Sequence, residues 1–332
     1  MQHWLRRILF YLVAIWAALT INFFMPRLAP GDPLTILVAN IQEKGGHVGP
    51  AYLHALQAEL GYNNEPLWQQ YLNYLWELLH GNLGISVQFS FEPVTNVIAR
   101  GIMWTLGLGL AAVIISFALG CILGTIAAWR RGRFFDLTLT TGLNFIAAIP
   151  YFWLALVLLY VFGSTLHWFP VVGGYDSLEV DPGWSMDFIA SVLYHAVLPA
   201  CTIVLVSLGG WMLTMRNTMV TTLSEDYVLL ARAKGLKTGR VMFAYAARNA
   251  ILPNIAGFAI ALGFVVGGQL LTEMVFSYPG IGYTLLLAVQ NQDYALMQGI
   301  FLYISLAILA ANFLAEIFYA ILDPRIRQGR SA

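Results

Sequence analysis

SEDYVLLARAKGLKTGRVMFAYAARNAILP, Ser224 to Pro253, is a positively charged, helix-prone insert between two long apolar segments. Asp226 can accept from the free N–H groups of a first helical turn and Gly235 can take the left-handed turn at its end, so Tyr227 to Lys234 is predicted as a short helix. A second helix is expected from near Thr238 through Ala246, Ala247, Ala250 and Ile251, with Pro253 introducing the next apolar segment. Two helices and a glycine corner, held at a membrane surface, make a knob suited to meeting another protein.

The rest of the chain supplies the membrane. Of its 332 residues 59% are hydrophobic and 10% charged, more apolar surface than one water-soluble domain can hide. Ile8 to Met25 would span about 27 Å as a helix, close to the hydrocarbon thickness. Arg6 and Arg7 precede it, and PRLAPGDP follows without a small-residue cleavage pattern, which favours an uncleaved anchor over a signal peptide. Gly101–Trp129, Phe134–Phe162, His195–Met215, Ile251–Val275 and Ala295–Leu322 are further apolar segments, giving six expected spans. Gly120 with Gly124, and Gly263 with Gly267, have the four-residue spacing that lets helices approach closely. Pro150 lies inside the third span, where a kink is expected. Cys121 and Cys201 fall in apolar segments and read as small core residues rather than a disulfide.

Between the first two spans, Pro26 to Arg100 is rich in Pro, Gly, Asn and acids and reads as a water-exposed insert. Pro66 to Leu79 within it is predicted as an amphipathic helix, with Pro66 in its first turn and Gly81 as its stop. Trp68, Tyr71, Leu72, Leu75 and Leu79 share one side, with Gln69, Gln70, Asn73 and Glu77 opposite. The aromatic side is expected in the core of this element, with burial in the lipid interface as the alternative.

Basic residues fix the expected orientation. Only Arg27, Lys44 and Arg100 of the seventeen lie on one side, and the other fourteen, including Arg6, Arg130, Arg216, Lys237, Arg325, Arg327 and Arg330, lie on the other. Both termini and the knob are therefore expected in the cytoplasm.

No G-x-x-x-x-G-K-[ST], G-x-S-x-G or H-E-x-x-H pattern occurs, so neither ATP hydrolysis nor any other enzymatic chemistry is expected in this chain. The six histidines are scattered; His47 and His54 share the outer insert, without a carboxylate or thiol at ligand spacing to complete a metal site. Asn144, six residues before Pro150, and Gln269, Thr272 and Glu273 are polar groups in apolar surroundings and are candidates, with Pro150, for lining a translocation path. Glu273 also has a second reading, an interfacial acid that holds the SYPG turn. Glu316 is expected to pair with a base.

Several motifs together carry a family resemblance: APGDP at Ala29–Pro33, LHWFPVVGG at Leu166–Gly174, FSYPGIG at Phe276–Gly282, ARAKG at Ala231–Gly235, RNAILP at Arg248–Pro253 and LDPRIR at Leu322–Arg327. The chain resembles the permease subunits of dipeptide/oligopeptide-type ATP-binding-cassette (ABC) importers. The resemblance implies an all-α integral membrane protein with the type I importer permease fold, six transmembrane helices and an extracellular insert after the first. Its domains would be 1–25, a cytoplasmic tip and first span; 26–100, the insert; and 101–332, a five-helix core with the coupling loop at 216–253. It implies a homologous permease partner, two ATPase subunits that carry ATP and Mg, an extracellular binding protein, and an inner-membrane location. No cofactor is expected in this chain, and no nucleic acid as a partner.

By the same resemblance Asp226, Tyr227, Ala231, Arg232, Ala233, Lys234 and Gly235 would form the coupling helix that docks in the ATPase. Leu229 and Leu230 stand where the wider superfamily has an acid and Ala. Short peptides are the implied cargo, with oligosaccharides, nickel complexes or glutathione as alternatives. A membrane receptor or scaffold that recruits a cytosolic protein is the reading from a different class.

Overall fold

In the computed structural model the described residues are 2–28, 66–267 and 269–322. The APGDP motif, Lys44, His47, His54, the Glu316 side chain and the tail from residue 323, with Arg325, Arg327 and Arg330, lie outside what is described. Two compact units are present, one built from described residues up to Met103 with Gly280–Ala310, the other from Trp104–Pro279 with described residues from Ala311 on.

The first unit holds α1 (Gln2–Leu28), α2 (Leu67–Leu79), a hairpin of β1 (Ile85–Ser86) with β2 (Glu92–Pro93), the start of α3 (Val94–Trp129), α11 (Ile281–Gln290) and the first part of α12 (Tyr294–Leu322). β1 and β2 are antiparallel, pairing Ile85 with Pro93 and Ser86 with Glu92. Asp293 ties this hairpin to α12: one carboxylate oxygen caps Leu296 N–H at 3.1 Å, and the other accepts from Ser86 Oγ at 2.6 Å and Gln88 N–H at 3.0 Å. A carboxylate at a helix N-terminus is favoured by the helix dipole.

α2 ends in a left-handed Gly81 (φ 74°), with Gly81 N–H on Leu78 O and Asn82 N–H on Glu77 O, both at 3.0 Å, the double bond of a Schellman close. Tyr71 and Leu75 are half-buried as expected, but Trp68, Leu72 and Leu79 are exposed, and α2 has no fully buried residue. The expected aromatic core is therefore not formed. The face that packs is instead set by Tyr71 and Tyr74, which meet Thr20, Asn22 and Phe23 of α1.

The second unit contains the rest of α3, then α4 (Phe134–Ala148), α5 (Tyr151–Leu158) running on as π-helical turns over Leu159–Thr165, α6 (Met186–Thr222), α7 (Asp226–Ala233), π-helical turns over Arg240–Ala247 leading to α8 (Arg248–Ala250), α9 (Leu252–Val265) and α10 (Leu270–Val275). The glycine pair behaves as its spacing predicts. A Cβ at Gly120 would collide with Trp211, and one at Gly124 would come within 2.5 Å of the Met212 carbonyl oxygen, so α3 and α6 touch backbone to backbone. Gly263 likewise lies against Ala311, where a Cβ would meet the alanine Cβ at 3.0 Å. Cys121 is buried, whereas Cys201 is exposed on the surface of the chain, contrary to the core reading.

Pro150 produces more than a kink. The axes of 134–148 and 151–165 differ by 98°, and Ile149 leaves the helix with φ −79° and ψ 127°. The ring of a proline pushes its predecessor out of the helical region, which ends α4 and leaves Pro150 to open α5. The expected Ile251–Val275 span is also interrupted, between α9 and α10, and the 240–250 segment meets α9 at 54°.

Among the described residues three helices are long and apolar enough to cross a bilayer, Val94–Trp129, Met186–Thr222 and Tyr294–Leu314, or five if each bent pair counts as one span; Leu9–Phe24 of α1 is a shorter apolar helix. With 37 residues, α6 is about 55 Å long and overshoots a hydrocarbon core of about 30 Å. Part of α6 therefore extends beyond the hydrocarbon, and the knob follows directly on its Thr222 end.

Candidate functional site

The knob is built from α7 and the Arg240–Ala250 segment. α7 begins at Asp226, one residue earlier than expected, with Glu225 at the cap position and no side-chain capping bond. Asp226 thus acts only as a first-turn acid facing the helix dipole, not as the cap. The other end follows expectation. Gly235 has φ 72°, Gly235 N–H bonds Arg232 O at 2.9 Å, and Leu236 N–H bonds Ala231 O at 3.4 Å, again the Schellman close.

Burial fixes which way α7 faces. Val228 and Ala231, three residues apart, are buried and join Val241, Ala246 and Ala250 from the second helix with Cys121 and Ala128 of α3 and Met215 and Met219 of α6. Leu236 and Trp129 pack on this cluster. Asn249 Nδ2 donates to the Tyr227 hydroxyl oxygen at 2.8 Å and links the two helices. Asn254, at the start of α9, donates to Cys121 Sγ at 3.1 Å and to the Trp211 carbonyl at 3.0 Å. The knob is thereby fastened to the ends of α3 and α6 rather than hinged on a loose loop.

What α7 leaves outside is apolar and basic. Leu229 is 48%, Leu230 57% and, on the second helix, Phe243 49% exposed; Asp226, Tyr227, Arg232, Ala233 and Lys234 are exposed beside them. The Arg232 guanidinium lies over the Trp129 ring, 4.9 Å from its centroid, so part of its role is to cover that ring. No Cβ contact lies within 4 Å at Gly235, so a substitution there meets no clash and only the backbone conformation is strained. Gly235→Ala is expected to cost about 1 kcal/mol, read as faster proteolysis between Lys234 and Thr238 with the spans intact; unchanged cleavage would remove the left-handed turn from the argument.

The residues expected along a path fall in two places. Asn144 is exposed on α4, and Pro150 opens α5. Gln269 is the half-buried residue before α10, while Thr272 and Glu273 are fully buried. α10 packs against α5, so the two broken segments meet. Glu273 accepts from Thr105 Oγ1 at 2.8 Å, and its backbone oxygen accepts Tyr278 N–H at 2.8 Å. Burial, and then the charge of Glu273, push the Tyr278 hydroxyl up to about 12, so it stays protonated across the physiological range.

Two of the resemblance motifs are in contact here. Gly173 N–H bonds Phe276 O at 3.1 Å, and a Cβ on Gly174 would meet Pro279 at 2.8 Å. Trp104 packs edge-on to Tyr278 and stacks on Tyr175.

The ion pair between Asp136 and Arg216 escaped the sequence reading. Arg216 Nε and Nη2 donate to the two oxygens of Asp136 at 2.6 and 2.7 Å, and Gly132 N–H adds a third bond at 3.0 Å. The available signal was Asp136 itself, the one carboxylate in the apolar run Phe134–Phe162. Among the described residues no group of three His, Cys, Asp or Glu is placed to hold a metal.

Residues 120–328 match the family described as the binding-protein-dependent transport system inner membrane component. The chain is 35% identical to the dipeptide transport system permease protein DppB of Escherichia coli K12, over 98% of this chain and 99% of that one. It is 34% identical to the di/tripeptide transport system permease protein DppB of Pseudomonas aeruginosa, over 98% of each, and 33% identical to a probable peptide ABC transporter permease, y4tP, of Sinorhizobium fredii, over 92% of each. A multi-pass helical protein with broken spans and a packed loop between α6 and α9, the chain belongs to the family of inner membrane components of binding-protein-dependent transport systems.

Proposed function

We propose that this chain is one permease half of an ATP-driven importer of di- or oligopeptides. α1 serves as the sixth span, both termini and the knob lie in the cytoplasm, and the Pro26–Arg100 segment lies outside. A homologous permease pairs with it, two ATPase subunits bind and hydrolyse MgATP, and an external binding protein delivers the peptide. The observation that carries the reading is the seating of α7: buried on one side against α3 and α6, it offers Leu229, Leu230, Arg232 and Lys234 on the other. A force applied to such a rigid contact reaches the spans directly.

Two segments broken at Pro150 and between α9 and α10 favour transport over a scaffold, because irregular backbone inside a membrane is tolerated where it lines a cavity or is covered by protein. Peptide cargo is supported by the full-length similarity to peptide permeases. The test is uptake in vesicles that contain both permeases and the ATPases, fed by the loaded binding protein. Dipeptides and tripeptides are expected to accumulate and to stimulate ATP hydrolysis; uptake of an oligosaccharide, a nickel complex or glutathione instead, with none of peptide, would overturn the cargo assignment. ATPase subunits that bind without any solute uptake would restore the scaffold.

A further inference from the structure

The outer helix α2 has three sectors rather than two. Tyr71, Tyr74, Leu75 and Leu78 form the packed side. Advancing around the helix at about 100° per residue, the next sector is Trp68, Leu79, Leu72 and Trp76, and the one after it is Gln69, Asn73 and Glu77. Trp68 is 65%, Trp76 64% and Leu79 81% exposed, so the middle sector is apolar and uncovered.

Its anchors fix its depth. Tyr71 OH hydrogen-bonds Thr20 Oγ1 at 2.7 Å, Asn22 Nδ2 donates to Tyr74 OH at 3.2 Å, and Phe23 packs edge-on to Tyr71 with ring centroids 5.2 Å apart. Thr20, Asn22 and Phe23 occupy the last turns of the apolar stretch Leu9–Phe24. That stretch turns Leu9, Phe10, Leu12, Val13, Trp16 and Ile21 outward, a face that only lipid or another apolar surface can cover. α2 is therefore fastened at the end of a membrane helix, where hydrocarbon gives way to headgroups. An exposed sector with two tryptophans, flanked by a polar sector, has the composition of that boundary.

We propose that α2 is a membrane-interface helix, with Trp68, Leu72, Trp76 and Leu79 inserted in the lipid and Gln69, Asn73 and Glu77 in water. The proposal rests on the reading of α1 as a span. It fixes the height of α2 itself at the membrane surface.

The test is nitroxide accessibility in the complete importer, reconstituted in phosphatidylcholine vesicles with Cys121 and Cys201 replaced by Ser. Labels at L72C and W76C are expected to collide preferentially with oxygen, and labels at Q69C and N73C with a water-soluble nickel chelate, so the ratio of the two collision rates reverses between neighbouring positions. V13C in α1 serves as the control for the span. Exclusion of both reagents at 72 and 76 would mean that a protein surface covers the sector, and preference for nickel at all four positions would mean that it is in water; either overturns the proposal. A nickel preference at 13 would instead sink the span reading beneath it.

Discussion

Leu230→Asp is expected to strip the ATPase subunits from the permease while leaving the permease folded. Leu230 is 57% exposed on α7, so a carboxylate there meets water in the isolated chain and disturbs no packing. In the docked complex it would replace a leucine whose full burial is worth about 1.5–3 kcal/mol, or about 10- to 100-fold in affinity. Co-purification of the ATPases and peptide uptake should both fall by that order, with membrane yield and permease pairing unchanged. Val228→Asp, two residues earlier and buried, should instead lower the yield itself, because the charge enters the cluster with Met215 and Met219. Arg232→Glu is expected to do less than Leu230→Asp: losing the contact with the Trp129 ring costs about 0.5–1 kcal/mol at an exposed site. Full transport by the Leu230 variant would remove α7 from the coupling contact.

The knob was legible in the sequence because its signals are local. A glycine that closes a helix, a proline that follows one and alanines at helical spacing constrain only their neighbours; the structure departs from them by one residue at each end of α7 and by the π-helical turns over Arg240–Ala247. The contact at Gly120 and Gly124 was legible for the same reason, since spacing on one helix places both on one face. Pro150 was located correctly but its effect was underestimated. A kink needs the helix to continue past the ring, and Ile149 takes an extended conformation instead.

α2 marks a different limit. Its apolar residues were identified, but lipid and a protein core attract the same side chains, so periodicity alone could not say which of the two Trp68 and Leu72 would face. Their exposure was decided by Tyr71 and Tyr74 finding Thr20 and Asn22 of α1, some fifty positions away in the chain. Cys201 failed for a related reason: an apolar segment of a membrane protein has an outward side too.

Breaking the Asp136–Arg216 pair is expected to be the most destabilising single change among the polar side chains of the second unit. The two residues are eighty positions apart, so Arg216 read from sequence as one more topological charge. In the fold its guanidinium grips both oxygens of a carboxylate that is 1% exposed, while the arginine side chain keeps 21% of its surface. Gly132 N–H, in a turn that needs φ 77°, completes the shell on Asp136. α6 is thus held to α3 by close glycine contacts and to the foot of α4 by this pair, and α4 leads directly into the 98° break.

Asp136→Asn keeps the shape but points an amide N–H₂ or a neutral oxygen at the guanidinium. Removing one partner of a buried pair costs about 3–5 kcal/mol, and the partial exposure of Arg216 places this case near the lower end. For a unit of this size that corresponds to roughly a 5–10 °C fall in the unfolding midpoint in detergent micelles. The double replacement Asp136→Leu with Arg216→Met should recover most of the loss, since no unpaired charge then remains in the packed region. If the single variant unfolds at the wild-type temperature, or the double variant is no better than either single one, the pair does not clamp α4 to α6. A double variant that is stable but transports poorly would assign the pair to holding the base of the broken span in register during turnover, a demand on geometry that apolar packing alone does not meet.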